Sequence, residues 1–132
     1  MDICIDFDGT CVTHDYPRIG FDIGAQEVLR DLVAHGHRLV LFTMRSGKEL
    51  EDAVAWFKKN EIPLYGIQSN PTQADWTSSP KAYAQLYIDD AALGVPLRFD
   101  KALDGSRAFV DWGRARIALM NGGLLNPTLK EP

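Results

Sequence analysis

The chain is poor in cysteine, in clustered basic residues and in long apolar runs, and each shortage removes a class of protein. Cys4 and Cys11 are its only cysteines, too few for a disulfide framework. Cys4 falls inside an apolar run, where a free thiol behaves as a small hydrophobe. Net charge is −4 and no stretch concentrates Lys and Arg, so the basic face on which nucleic-acid binding rests is missing and no nucleic-acid partner is expected. No apolar run approaches membrane-spanning length, and no basic leader with an apolar core opens the sequence. These shortages predict a cytoplasmic protein with no membrane partner. Internal repeats and low-complexity tracts are also missing. What is present, 45% hydrophobic and 24% charged residues, is the composition of an ordinary globular protein. The length suits one domain over residues 1–132, large enough to bury roughly two-thirds of its unfolded surface.

Periodicity divides the chain into strands and helices in alternation. Ile3-Cys4-Ile5 and Phe7 form a short β-branched run, as expected of a strand buried on both faces. Residues 11–24 are irregular, punctuated by Pro17, Gly20 and Gly24. Val28, Leu29, Leu32 and Val33 then recur at helical spacing, with Gly36 placed to stop the helix. Residues 38–43 read as a second buried strand. Ser46 and Glu49 match a capping box ahead of the stripe Leu50, Ala53, Val54 and Phe57, and that helix ends near Asn60. Residues 64–67 and 84–88 read as further strands, separated by a polar loop over residues 69–80. Beyond Asp90 the signals weaken to a short edge strand at Phe109-Val110, a helix over residues 114–120 and a loose tail after Gly123. The alternation predicts an α/β protein, a three-layer sandwich with a central parallel sheet.

In such sheets ligands bind beyond the carboxyl ends of the strands. The chemically useful residues fall there: Asp6 and Asp8 after the first strand, Thr43 at the end of the second, and Asp89 and Asp90 after the strand over 84–88, with Lys81 just upstream. Two carboxylates in a Gly-Thr turn suit phosphoryl transfer, which needs positioning and charge neutralisation. One carboxylate can take the phosphoryl group, and another can serve as acid and then base. Mg²⁺ favours an all-oxygen shell and offsets the charge of nucleophile and phosphate together. A hydroxyl and an ammonium, as in Thr43 and Lys81, can hold the remaining phosphate oxygens.

Asp6-Phe7-Asp8-Gly9-Thr10, the apolar strand ending in Thr43, Lys81, and Tyr87-Ile88-Asp89-Asp90 resemble, in order, the four motifs of the haloacid dehalogenase superfamily. The resemblance spans residues 2 to about 97. It implies a Rossmann-like fold and a Mg²⁺-dependent phosphatase working through an aspartyl-phosphate. Asp6 is then the nucleophile and Asp8 the acid/base, with Thr43 and Lys81 as phosphate clamps. The metal would sit on Asp6, the Asp8 main-chain carbonyl and Asp89, with Asp90 beside it or one shell out. Asp8 at the second position resembles the phosphatases and not the dehalogenases. Two features depart from the pattern. Pro80 precedes Lys81, where many relatives have proline after the lysine. Neither residues 11–24 nor residues 69–80 can hold a cap domain, so the resemblance is to capless members. The open site that results suits a phosphorylated substrate, a small molecule ahead of a macromolecule, with a second copy of the chain as a potential cover.

Gly9 and Thr10 join Thr43, Arg45 and Lys81 as the expected substrate-binding set, although Arg45 reads equally well as the partner of an acidic neighbour. His14 reads as a solvated loop histidine. His35 and His37 suit a helix C-terminus as cations. Trp76, in the polar loop near the site's mouth, is either surface or a stacking platform. Two other classes compete. A phospho-receiver domain would carry its accepting Asp at the end of a middle strand, where Thr43 stands. An EF-hand loop would need acidic ligands where Thr10 and Pro17 stand. A catalytically idle phosphate-binding member of the same superfamily is the other alternative.

Overall fold

The computed structural model describes residues 1–127. Four strands, β1 (Asp2–Ile5), β2 (Arg38–Leu41), β3 (Gly66–Ile67) and β4 (Leu86–Ile88), pair in parallel in the order β3-β2-β1-β4. Every residue of β1 is buried. Paired with β2 on one side and β4 on the other, it sets Ile3 beside Leu39 and Leu86, and Ile5 beside Leu41 and Ile88. Residues in register share a face. The row of Ile3, Ile5, Leu39 and Leu41 packs against helices α1 (Ala25–Ala34), α2 (Gly47–Lys59) and α3 (Trp112–Asn121) in the main core. The alternate residues, Cys4 and Val40, look the other way and lie under Ala82, with Tyr65 and Ala84 alongside. The protein is thus an α/β sandwich of three layers around a parallel sheet. Its thin third layer is the crossover between β3 and β4, which contains a single 3₁₀ turn over Gln73–Asp75.

Helix α1 stops as its sequence implies. Gly36 takes φ +88, its N–H donates to Val33 O, and the His37 N–H reaches Leu32 O, the paired bonds of a Schellman ending. Helix α2 ends in the same pattern, with Glu61 and Ile62 donating to Lys58 O and Phe57 O. Here the left-handed position holds Glu61 at φ 58. The capping box at its start does not form. Ser46 is exposed and its side chain makes no capping bond, so only its carbonyl enters the helix, accepting from Leu50 N.

After Asp90 the structure departs most from expectation. β5 (Leu97–Asp100) and β6 (Asp104–Val110) form an antiparallel hairpin outside the parallel sheet; Phe109 and Val110 close it and are not an edge of the main sheet. Leu97 and Phe99 are exposed, so the alternation that marks a half-buried strand is inverted there. The expected loose tail is pinned as far as it is described. Leu125 is 3% exposed, His37 Nε2 donates to Leu124 O at 2.8 Å, and Asn126 N donates to His35 Nε2 at 3.3 Å. The two histidines therefore anchor a following segment, and His35 also meets the end of α1 as expected, its Nδ1 lying 2.7 Å from Asp31 O. The rest of the expected tail, residues 128–132, lies outside the described residues. Among the described residues no helix is long and apolar enough to cross a membrane.

Candidate active site

Asp6 is the first residue past β1, held in line with the sheet by its N–H to Ile88 O at 3.0 Å. Phe7 then plunges into the core against the rings of Trp56 and Phe57, which fixes the turn that follows. Thr10 N and Cys11 N both donate to Phe7 O, and Gly9 N donates to Val12 O. With their amides spent inside the turn, Gly9 and Thr10 have no main-chain donor to offer in the substrate-binding role expected of them. Gly9 serves by lacking a side chain. Its φ is +77, and an added Cβ would run into the His14 ring and come within 2.6 Å of Asp90 Oδ2. Thr10 is fully buried; its hydroxyl donates to Asp6 Oδ2 at 2.8 Å and accepts from Asp90 N at 3.0 Å, tying the turn to the end of β4.

This brings Asp6, Asp89 and Asp90 together, with one oxygen of each within 4.8 Å of the others. Burial, reinforced by the Asp89 charge and a hydrogen bond with Asp90, pushes the Asp6 carboxyl from 3.8 up to about 8, against the pull of the Thr10 hydroxyl. Three close carboxylates with hard oxygen donors suit a hard divalent cation far better than a soft metal. Cys11, fully buried behind them, donates its thiol to Asp6 O at 3.3 Å and is held well above its usual range by burial, so it offers no thiolate. The donor set therefore fits the hard cation that the sequence implies.

Asp8 faces differently. Arg45 grips its carboxylate through both oxygens, Nε to Oδ2 at 2.8 Å and Nη2 to Oδ1 at 2.7 Å. The remaining donors of the guanidinium go to Pro17 O, Glu49 O and Arg18 O, and the Phe7 and Tyr16 rings lie about its carbon at 5.0 and 5.2 Å. All five N–H donors of Arg45 are thus engaged in a side chain 1% exposed. Arg45 is a structural hub joining the first turn of α2, the Asp8 turn and residues 17–18, and it has no donor left for substrate. The Asp8 carboxylate stands outside the acidic cluster; the metal contact expected of Asp8 is its main-chain carbonyl, which this pairing leaves alone. A buried-size run ending in Thr43, followed by Arg45, lies on the strand beside the one that ends in Asp6 and Asp8. That juxtaposition of opposite charges at neighbouring strand ends was the available signal for the pair.

Thr43 comes to the same place as Asp6. Together with Phe42, Met44, Gln68 and Asp89 they line a depression of about 250 Å³. The Thr43 hydroxyl accepts from Arg45 N at 3.1 Å, which leaves its own proton free to donate. Gln68, at φ 65, braces this strand end by accepting from Thr43 N and donating to Thr43 O and Arg45 O. Nothing in the sequence around Gln68 marks that role. Lys81 is not brought into the depression. It is exposed, its ammonium 5.3 Å over the Tyr87 ring, and it lines a neighbouring pocket. His14, expected in solvent, is 14% exposed in its side chain. Its Nε2 lies 3.0 Å from Asp90 Oδ2, at ion-pair distance but without the alignment of a hydrogen bond. It arrives on the excursion over residues 12–22, which Val12 closes by bridging to Asp22.

The fold and site define an α/β protein with an uncapped acidic cluster at the carboxyl edge of a parallel sheet. No protein-family model and no curated protein matches the chain. A solved structure, the conserved protein coded by locus from Bacteroides thetaiotaomicron, matches over 93% of this chain and 90% of its own, at 34% identity and a TM-score of 0.73. The chain belongs to the same family as that conserved protein.

Proposed function

We propose that the chain is a phosphomonoester hydrolase of the haloacid dehalogenase type, dependent on Mg²⁺. The observation that carries the reading is the gathering of one oxygen each of Asp6, Asp89 and Asp90 within 4.8 Å of one another, with Asp6 and Asp89 sharing an open depression with Thr43. Asp6, Asp89, Asp90 and the Asp8 carbonyl would hold the cation, which supplies charge neutralisation that lets Asp6 ionise next to an anionic ester. The Asp6 carboxylate attacks phosphorus while the bond to the leaving oxygen breaks, and Asp8 gives that oxygen its proton. Asp8 then takes a proton from the water that attacks the aspartyl-phosphate, releasing phosphate and restoring Asp6. For both transfers the Asp8 side chain turns off Arg45, and it takes up from solvent the proton that it gives in the first. Thr43 donates to a phosphoryl oxygen, and the exposed Lys81 side chain folds over to do the same.

The test is hydrolysis of a set of phosphomonoesters with Mg²⁺ and with EDTA. Wild type is expected to turn over at least one ester only with Mg²⁺. Asp6→Asn is expected to lose about a thousandfold or more in kcat, as removal of a nucleophile does. Full activity of Asp6→Asn in EDTA would refute the mechanism.

A further inference from the structure

Beside the acidic depression, on the thin side of the sheet, lies a second pocket of about 300 Å³ lined by Trp76, Lys81, Tyr83 and Tyr87 together with Gln73 and Ala84. We infer that this pocket is the leaving-group subsite, and that it selects phosphomonoesters whose leaving group carries a planar aromatic ring, such as nucleoside monophosphates. The inference rests on the hydrolase reading for the role of the subsite, and on the pocket's own construction for its choice of ligand.

Register fixes the pocket's position. Tyr87 pairs with Cys4 in β4, and Asp89 follows two residues on, just past the end of that strand. At about 3.3 Å per residue their backbones are roughly 6–7 Å apart along the strand. A phosphate at the Asp6–Asp89 row and a ring one sugar unit away would therefore fall on the two depressions together. Among the described residues no cap covers this face, so it is open to the leaving group of an ester bound at the acidic depression.

The pocket's walls are also braced. Trp76 is 60% exposed yet propped edge-on against Tyr83, ring centroids 5.2 Å apart at 89°, which leaves an indole face open. The loop bearing both rings is held by Gln73, 7% exposed, whose side chain accepts from Tyr83 N and donates to Ser79 O and Lys81 O. The Tyr87 hydroxyl donates to Ala82 O at 2.6 Å, laying its ring along the floor, and the Lys81 ammonium sits 5.3 Å over that ring. Exposed aromatic faces held rigid, with a cation at the rim, match a planar π system attached to an anion. A polyol chain would leave those faces wet.

The experiment compares adenosine 5′-monophosphate with ribose 5-phosphate on the Asp6→Asn full-length chain with Mg²⁺, by calorimetry and by tryptophan emission. The nucleotide is expected to bind about tenfold or more tighter and to quench emission, because Trp76 is exposed while Trp56 and Trp112 are buried. Trp76→Ala should erase both the difference and the quenching, and Trp76→Phe should keep most of the difference. Equal affinities in the Asp6→Asn chain, or a preference that survives Trp76→Ala, would overturn the subsite. If wild type turns over no ester of the wider set while the Trp76-dependent preference for the nucleotide remains, the hydrolase reading falls and the aromatic site stands.

Discussion

A carboxyl group that is buried beside two others is at odds with neutral pH, and Asp6 is in that position. Its folded-state pKa is raised from 3.8 to about 8, so between those values the unfolded chain has released a proton that the folded chain retains. Stability therefore falls as pH rises through that window, and the contribution is complete only below the unfolded value. Asp2 acts in the opposite sense. The Arg38 guanidinium, at 2.8 Å, holds its carboxyl below the usual range, so that stability is lost only on acidification below about 4. In EDTA, Tm is expected to decline from pH 5 to pH 8.5. Saturating Mg²⁺ should remove the decline by favouring the ionised cluster, so the gain in Tm from Mg²⁺ grows with pH. A gain that does not change with pH, measured by circular dichroism melts, would count against a cation on Asp6. At this scale the residue types at strand ends were legible, because strand order alone delivers Asp6, Thr43, Asp89 and Asp90 to one edge. The pairing of Arg45 was legible as one of two readings, and the roles of Gly9 and Thr10 were not. They depend on which donors are already engaged, and that accounting exists only once the chain has folded.

At the scale of elements, what could be read was what burial dictates locally. The apolar runs of β1 and β2 and the Gly36 stop follow from sequence because neighbours in the chain settle them. The β5–β6 hairpin did not follow, since its apolar side chains at Leu97 and Phe99 face outward and its pairing is decided by what it touches. The two Schellman endings offer a direct comparison. α1 closes on Gly36 at φ +88 and α2 on Glu61 at φ 58. A residue with a Cβ is strained in the left-handed region by about 1 kcal/mol or somewhat more. Glu61 is exposed and takes part in no salt bridge among the described residues. Glu61→Gly is accordingly expected to stabilise the protein by about 0.5–1 kcal/mol, net of the extra freedom that glycine has when unfolded. The check is the urea midpoint at constant m-value; a lower midpoint would show that the glutamate side chain contributes more than its strained backbone costs.

Across the whole molecule, the last third of the chain returns to hold the first ten residues. Val110 N donates to Gly9 O at 3.0 Å, and the Trp112 indole N–H donates to Thr10 O at 2.7 Å. No local pattern announces a contact between residues 102 positions apart, which is why the segment after Asp90 gave so little as sequence. Its function is positional. Thr10 is tied by its hydroxyl to the Asp6 carboxylate and to Asp90 N, so Trp112 acts on two of the three clustered aspartates through one carbonyl. Trp112→Phe keeps an aromatic ring in a site 2% exposed and removes that N–H along with part of the buried ring volume. The unpaired buried carbonyl should cost about 1–3 kcal/mol of stability, read from urea unfolding. If the bond serves only packing, the loss ends there. If it orients the acidic cluster, Mg²⁺ affinity falls as well, by about ten- to a hundredfold as for the loss of a group that orients metal ligands. Titrating Mg²⁺ against the folded variant by calorimetry, well below its melting temperature, separates the two. The geometry predicts the second result, and an unchanged affinity would confine Trp112 to the core.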